Sequence, residues 1–155
     1  MTITVTMADH HHVEHVAKNL READKIEACR ITNSVDAIRA VVDSSRASRF
    51  TLVGLESGTT PVAVAGVSPS SAVGIGVPWL VGTDRITEKP FQFLRKAKSV
   101  LEMMFEKSGY DHFYNVVDAE NLVHQQWLTW VGAEFAPEPR QINGYDFFEF
   151  SIRRD

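Results

Sequence analysis

The sequence predicts an α/β fold in which one mixed β-sheet is covered by helices on both faces. Apolar residues recur at intervals of two in some segments and of three or four in others, so strands and amphipathic helices alternate along the 155 residues. Two helical segments follow the first strand, and three consecutive strands follow those helices. This order argues against a regular doubly wound sheet and indicates a mixed one. Residues 1–155 are predicted to form a single domain.

The N-terminal part of the chain is predicted to contain one strand and two helices. Residues 2–5 alternate Thr with β-branched apolar residues, which is typical of a short strand. Asp9 is a candidate N-cap of a helix that extends to about Arg30. The apolar residues at helical spacing in this segment are Val13, Val16, Ala17, Leu20 and Ala23. Ser34 is a candidate cap of a second helix, which ends in the region 44–46.

Three strands follow. Residues 50–55 and 61–67 read as strands, and the polar turn at 57–60 predicts that they form an antiparallel hairpin. Residues 73–81 form a mostly apolar run that contains two glycines. This composition is typical of a strand buried on both faces, in which glycine permits a bulge or a close backbone approach.

The longest helix is predicted to begin near Pro90, with Thr87 as a candidate cap, and to end at residues 108–109. One broad apolar stripe runs along it and should pack against the sheet. The stripe comprises Phe91, Leu94, Ala97, Leu101, Met104 and Phe105.

The C-terminal part of the chain is predicted to contain further strands and one short helix. Residues 112–117 and 145–152 read as strands, and residues 133–135 as a short additional strand. Residues 122–131 form an amphipathic helix, with Gly132 at its C-terminal end.

The composition limits the classes of partner. Hydrophobic residues make up 44% of the chain and charged residues 23%, as in ordinary globular proteins. The net charge of −4 gives no basic surface for nucleic acid, and no apolar run approaches the roughly 20 residues needed to cross a bilayer. From the residues at its start we expect no signal peptide, and Cys29 is the single cysteine, so no intrachain disulfide can form. We therefore expect a cytoplasmic protein without nucleic-acid or membrane partners.

One motif points to a family. Asn121 follows a strand and opens a short helix, Gly132 ends that helix eleven residues later, and the aromatic Phe135 lies just beyond. This pattern resembles the last signature motif of the GNAT N-acetyltransferase superfamily. Leu128 stands where that family usually has its catalytic Tyr. The predicted order of strands and helices is also the GNAT order, so the resemblance implies a GNAT-like fold and acetyl-CoA as co-substrate.

Further segments are similar to a branch of small GNAT-like proteins encoded by tailed bacteriophages, some described as acetyltransferases and others as internal virion proteins. These segments are residues 16–24, 78–84, 93–95, 114–121 and 127–133. The resemblance implies a phage-encoded acyl-CoA-dependent N-acyltransferase that acts on an amine of a bacterial host protein or of a small molecule. The alternative is a catalytically silent GNAT-fold protein that binds a host factor or serves as an internal virion component.

The resemblance also implies where CoA would bind. Its pantetheine arm would enter a cleft between the strands at 77–83 and 112–117, and its pyrophosphate would meet the start of the helix at Pro90. The family's Gly-rich turn is absent here, because residues 84–91 contain no glycine and Pro90 lacks an N–H group. Arg85 and Lys89 would supply positive charge instead, and the alternative is an ordinary helix that binds nothing. The implied cofactor-binding residues are Leu80, Val81, Gly82, Thr83, Arg85, Lys89 and Asn121.

Three residues are candidates for catalysis. Acetyl transfer needs a base to deprotonate the amine and an acid to protonate the leaving thiolate. His124 lies one helical turn before Leu128 and is the nearest titratable group, so it is the candidate acid. Asp24 and Glu27 lie about one turn apart in a region that borders the acceptor cleft of GNAT folds, so either is a candidate base or amine-binding carboxylate. The alternatives are a structural or exposed histidine and two solvent-exposed helix charges.

The histidines near the N-terminus do not predict a metal site. His11 and His15 are four residues apart and share a helix face, but no nearby carboxylate or Cys completes a known zinc motif. The whole cluster, His10, His11, His12 and His15, is expected to lie on the surface at a helix start.

Overall fold

The computed structural model describes residues 2–155, which form eight strands and six helices. The strands are β1 (Ile3–Met7), β2 (Thr51–Glu56), β3 (Thr60–Pro69), β4 (Ile75–Gly82), β5 (His112–Asp118), β6 (Glu134–Phe135), β7 (Arg140–Ile142) and β8 (Tyr145–Arg153). The helices are α1 (His10–Lys18), α2 (Glu22–Thr32), α3 (Ala37–Ala47), α4 (Arg85–Glu88), α5 (Pro90–Ser108) and α6 (Leu122–Trp130).

All eight strands belong to one sheet, in the order β1-β2-β3-β4-β5-β8-β6, with β7 also paired to β8. Strands β4 and β5 run parallel, and the other paired strands run antiparallel. The predicted mixed sheet is therefore confirmed. The parallel pair lies in the middle of the sheet, where the chain crosses from β4 to β5 through α5.

Helices cover both faces of this sheet, as predicted. On one face, α1 and α3 pack on the β-branched side chains of Val53 and Val64. On the other face, α5 and α6 pack on the alternate residues of the same strands, such as Leu52 and Ala65. This alternation follows from the period of two along a strand, which sends successive side chains to opposite faces.

The helix predicted from Asp9 to Arg30 is wrong in one respect, because the structure divides it into α1 and α2. Asp9 does cap α1, since its carboxylate accepts the His12 N–H at 3.0 Å. The break occurs at Leu20 and Arg21. Leu20 forms an isolated antiparallel bridge with Thr83, and the backbone N–H of Arg21 donates to the carbonyl of Gly82 at 2.8 Å. Pairing with the end of β4 thus replaces helical hydrogen bonds at this point.

Two predicted helix caps are also wrong. Asp36, not Ser34, caps α3, because its carboxylate accepts the Arg39 N–H at 3.0 Å. Thr87 lies inside the short helix α4, where its hydroxyl donates to the Asp84 carbonyl at 2.8 Å. Pro90 is the first residue of α5, as predicted, because a first-turn position needs no N–H donor.

The apolar stripe of α5 is confirmed at its C-terminal end and wrong at Phe91. Met104 and Phe105 are buried, whereas Phe91 is 75% exposed. The inward position in the first turn is taken instead by Phe93, whose ring stacks on Trp127 with centroids 5.0 Å apart.

Strand β4 is shorter than the predicted strand at 73–81. Val73 is fully exposed and Gly74 has a φ of 81°, so both lie in the turn before Ile75. Several residues of β4 are half-buried rather than buried on both faces: Val77, Trp79, Leu80 and Val81. The reason is that β5 covers only the beginning of this strand.

Two hairpins place glycine where a positive φ is required. Ser57 and Gly58 both have positive φ between β2 and β3, which confirms the predicted antiparallel hairpin. Asn143 and Gly144 form the same kind of turn between β7 and β8. Strand β7 was not predicted, although Asn-Gly is a strong hairpin signal. Among residues 2–155, no helix has the length and apolar character needed to cross a membrane.

Candidate active site

The two parallel strands separate in the middle of the sheet. Strands β4 and β5 pair only through Ile75 with His112 and Gly76 with Phe113. Beyond these pairs the one side-chain link between the strands is a 2.7 Å hydrogen bond from Asn115 Nδ2 to the Pro78 carbonyl. The strands therefore open towards their carboxyl ends, where the family resemblance implies a cleft.

A cavity of about 390 Å³ occupies this opening. Side chains from both faces of the sheet line it, mostly apolar ones. Ala28 of α2 and Val41 of α3 lie on one side, and Phe93 and Ala97 of α5 lie on the other. The lining of the cavity thus comes from both layers of helices.

A buried polar network closes the end of the opening. The guanidinium of Arg21 donates to both carboxylate oxygens of Asp24, at 3.2 and 2.8 Å, and to Asn121 Oδ1 at 2.8 Å. Asn121 Nδ2 donates in turn to Asp24 at 2.9 Å, and the backbone N–H of Gly82 donates to the other oxygen of Asp24 at 2.9 Å. All three residues are at most 5% exposed. Asp24 thus joins α2, the end of β4 and the start of α6.

Glu27 and His124 form the second polar pair of the site. Glu27 Oε1 accepts the backbone N–H of Asp118 at 2.9 Å and Asn121 Nδ2 at 3.3 Å. Glu27 Oε2 lies 3.8 Å from His124 Nδ1, which is the separation of an ion pair rather than of a hydrogen bond. His124 Nδ1 is buried without a hydrogen-bond partner among the described residues. Glu27 Oε2 and His124 Nδ1 therefore face each other, and neither atom forms a hydrogen bond among the described residues.

The charge of Glu27 decides the protonation of His124. Burial lowers the pKa of His124, but the Glu27 carboxylate, supported by Asp24, outweighs burial, so the net shift of the pKa is upward. A raised pKa favours the imidazolium form, which has a proton to give. The alternative expectations of an exposed histidine and of exposed helix carboxylates are wrong, because His124 and Asp24 are buried and Glu27 is half-buried.

Asn121 caps α6, since its Oδ1 accepts the His124 N–H at 3.4 Å. This cap fixes the first turn of the helix and with it the position of His124. One turn later, Leu128 is 8% exposed and lies in the wall of the cavity. A hydrocarbon there offers no proton, so His124 is the titratable group that α6 contributes to the cavity.

The predicted cofactor-binding residues of β4 fall into two groups. Leu80 and Val81 line the cavity. The N–H groups of Gly82 and Thr83 are already bonded, to Asp24 and to the Val62 carbonyl. Gly82 and Thr83 therefore offer no free backbone N–H donor to an anion.

Of the two predicted phosphate-binding cations, one is already paired. The Arg85 guanidinium donates to both oxygens of Glu56, at 2.9 and 2.7 Å, and to Glu88 at 2.6 Å. These hydrogen bonds raise the pKa of Arg85 and lower the pKa of Glu56. Lys89 is half-buried at the N-cap position of α5 and forms no ion pair among residues 2–155. Lys89 is thus the cation that remains for an anion.

Several residues of the site were not singled out in the sequence. Arg21 neutralises Asp24, and Arg30 donates to Asp118 at 3.1 Å and also to Glu120. Arg30 further lies over the ring of Tyr145, 4.2 Å from its centroid. The available signal was the spacing of Arg21 and Asp24, which places opposite charges one helical turn apart. Nothing in that spacing shows that the pair is buried.

The histidine cluster near the N-terminus contributes to a helix cap. His12 Nδ1 accepts the Asp9 N–H at 3.2 Å and completes a capping box. Across the described residues 2–155, no group of three or more His, Cys, Asp or Glu side chains has an arrangement that holds a metal ion.

Comparison with known proteins identifies the fold. No protein-family model matches the chain, and no curated protein matches its sequence. A GNAT-family acetyltransferase from Bacillus anthracis is similar in structure, with a TM-score of 0.69 and 12% identity over 99% of this chain and 95% of that one. AAC(6')-Ib in complex with ribostamycin and coenzyme A is similar in structure as well, with a TM-score of 0.71 and 11% identity. The match covers 99% of this chain and 94% of that one.

The ribosomal-protein-S5-alanine acetyltransferase from Vibrio fischeri is a third similar structure, with a TM-score of 0.64 and 11% identity. The match covers 100% of this chain and 94% of that one. The similarity thus extends over nearly the full length of each chain. At such low identity it establishes the architecture. The protein therefore has the fold of the GNAT acetyltransferases, with an open pair of parallel strands and a polar pair, Glu27 and His124, at the opening.

Proposed function

We propose that this protein is an acetyl-CoA-dependent N-acetyltransferase that transfers the acetyl group to an amine. The observation that carries the proposal is the opening between β4 and β5, where a cavity lined from both faces of the sheet contains Glu27 and His124. An acetyltransferase must bring two substrates together in one site, and a cavity lined from both faces of the sheet can do so.

CoA is the co-substrate that the fold suggests, since AAC(6')-Ib has been solved with acetyl-CoA and with coenzyme A. In this protein the pantetheine arm would lie along Leu80 and Val81, which line the cavity. Lys89, at the start of α5, would meet the pyrophosphate together with the positive end of the helix dipole. Arg85 would have to leave Glu56 to contribute, so the affinity for CoA should be modest and sensitive to salt.

The polar pair supplies the proton transfers. An ammonium substrate gives one proton to Glu27, which passes it to solvent, and the free amine then attacks the acetyl carbon. The bond between nitrogen and carbon forms as the bond between carbon and sulfur breaks, and the electron pair leaves on sulfur. The His124 imidazolium protonates this thiolate and recovers a proton from the new amide nitrogen. Asp24 already accepts four hydrogen bonds, so we assign it a positioning role.

The competing function is that of a binding protein that has kept the fold of an enzyme. Two observations support it: Leu128 has no proton to give, and the segment before Pro90 has neither glycines nor an unpaired Arg85 to hold phosphate. On this alternative the partner would be a bacterial host factor, or the protein would be an internal virion component. The phage origin rests on the sequence resemblance to phage-encoded GNAT-like proteins.

The turnover experiment compares the wild type with His124→Ala and Leu128→Tyr and follows CoA release from acetyl-CoA with a panel of amines. We expect His124→Ala to lower the rate by about 10²–10⁴-fold, the usual contribution of a general acid. Leu128→Tyr should restore part of the rate in the His124→Ala background, because it places a phenol one turn away. An unchanged rate in His124→Ala would exclude His124 as the acid. CoA binding without turnover in any variant would favour the binding protein.

A further inference from the structure

Few charged side chains line the cavity, and they determine which ligand can enter from the side of α2 and α3. Four titratable side chains line the cavity among residues 2–155: Asp24, Glu27, Lys96 and His124. Lys96 belongs to α5, on the opposite side of the sheet from α2 and α3. Asp24 is neutralised by Arg21 at 2.8 Å. Glu27 Oε1 accepts two N–H groups, whereas Oε2 accepts no hydrogen bond and lies 3.8 Å from His124 Nδ1. A cationic ligand from the α2 side can therefore bind Glu27 Oε2 in competition with the proton of His124.

The walls around this carboxylate are mostly apolar, with the hydroxyl groups of Thr32, Ser44 and Ser68 among them. Ala28 and Ile31 of α2, Ala40 and Val41 of α3 and the indole of Trp79 line this side of the cavity. Ile31 is 38% exposed and also lines the cavity, so it lies at the mouth. The indole N–H of Trp79 is occupied by Ser48 Oγ at 2.7 Å, which leaves its ring as a hydrophobic surface. A ligand that enters here meets hydrocarbon before it meets Glu27.

The two arginines nearest this side of the cavity are already paired, and Lys96 belongs to the helix on the opposite side of the sheet. Arg21 is bonded to Asp24 and Asn121, and Arg30 is bonded to Asp118 and Glu120. An amino acid would therefore bring its carboxylate beside Glu27 without a partner. A polyamine would bring a second or third ammonium into the apolar part, where no carboxylate lies. Each of these would bury an unpaired charge, which is strongly unfavourable.

We propose that the acceptor is a primary amine that carries one positive charge on an apolar body, such as an alkylamine or an arylalkylamine. The ammonium binds the free oxygen of Glu27, and the hydrocarbon lies between α2, α3 and Trp79. The assignment of acetyl transfer to this amine rests on the proposed function, whereas binding of the amine does not. The proposal excludes aminoglycosides and polyamines as good acceptors.

Direct calorimetry of hexylamine and spermidine, without CoA, tests the binding step. The wild type should bind hexylamine, and affinity should rise about fourfold for each methylene from ethylamine to hexylamine, because each buried CH₂ contributes about 0.8 kcal/mol. Glu27→Gln should abolish this binding, whereas Glu22→Gln, an exposed carboxylate on the same helix, should leave it unchanged. Tighter binding of spermidine, or affinity that does not depend on chain length, would overturn the proposal.

A substitution designed to reverse the amine preference gives a second test. Ala40→Asp adds a carboxylate to the apolar wall, so it should shift preference from hexylamine to 1,6-diaminohexane by at least tenfold in competition. An unchanged preference in a folded Ala40→Asp protein would contradict the location of the amine. The two proposals fail separately: hexylamine binding without acetyl-CoA binding refutes the enzyme and keeps the amine site. Acetyl transfer from acetyl-CoA to spermidine but not to hexylamine keeps the enzyme and refutes the amine site.

Discussion

Asp24 is the residue on which the local structure around the opening depends most. Its carboxylate accepts two hydrogen bonds from Arg21, one from Asn121 and one from the backbone of Gly82. Asp24→Ala would leave the Arg21 guanidinium, whose side chain is 6% exposed, as a buried charge without its partner. Removing one partner of a buried ion pair typically costs about 3–5 kcal/mol, much of it the desolvation of the other charge.

Thermal denaturation followed by circular dichroism measures this cost. For a chain of this length, 1 kcal/mol shifts Tm by roughly 2–4 °C, so Asp24→Ala should lower Tm by on the order of 10 °C. Asp43→Ala is the matched control, because Asp43 forms an exposed ion pair with Arg39 at 3.7 Å on α3. Exposed pairs of this kind contribute about 0.3–0.5 kcal/mol.

The double variant Arg21→Met/Asp24→Leu separates a buried charge from a lost contact. Because it removes both charges and fills the space with hydrocarbon, it should recover most of the stability lost in Asp24→Ala. If Asp24→Ala costs less than about 1 kcal/mol, or if the double variant is as unstable as the sum of its parts, the network does not have the role described.

Two further predictions concern His124 and the core. The pKa of His124 is raised in the folded state, so its protonation stabilises the protein below the unfolded pKa of about 6.5 and this contribution is lost as pH rises through the folded value. The stability of the wild type relative to His124→Gln should therefore fall as pH rises above about 6.5. A stability difference that is flat or rises with pH would contradict the ion pair with Glu27. In the core, Phe105→Ala should cost about 3–5 kcal/mol because Phe105 is 1% exposed and stacks on Phe113 at 4.0 Å. Phe91→Ala on the same helix should cost close to zero, and equal midpoints for the two variants would mean that α5 faces the sheet differently.

The order of elements could be predicted from the sequence because each signal is local. Patterns with a period of two and of three to four identified the principal strands and helices, and the polar turn at 57–60 identified the first hairpin. The break at Leu20 and Arg21 could not be predicted, since it depends on pairing with Thr83 and Gly82, about sixty residues later. Local propensity favours one continuous helix there, and the tertiary contact overrides it.

The residues of the site could be predicted in part, because their spacing along the chain is also a local signal. Asp24, Glu27, Asn121 and His124 were singled out from spacing and family resemblance, and the structure brings these four side chains into one network. The partner of Asp24 was missed, because an Arg one turn away on a helix gives no indication of burial. The state of Arg85 was also missed, since its partner Glu56 is on another strand.

Binding of acetyl-CoA is the measurement that tests the account most directly. Calorimetry at low and moderate salt should show a modest affinity that weakens as salt increases, because few cations face the pyrophosphate. Lys89→Ala should weaken binding further, whereas Lys107→Ala, exposed in the last turn of the same helix, should leave it unchanged. No heat and no thermal shift with millimolar acetyl-CoA would contradict the proposal that the opening between β4 and β5 is an acetyl-CoA site.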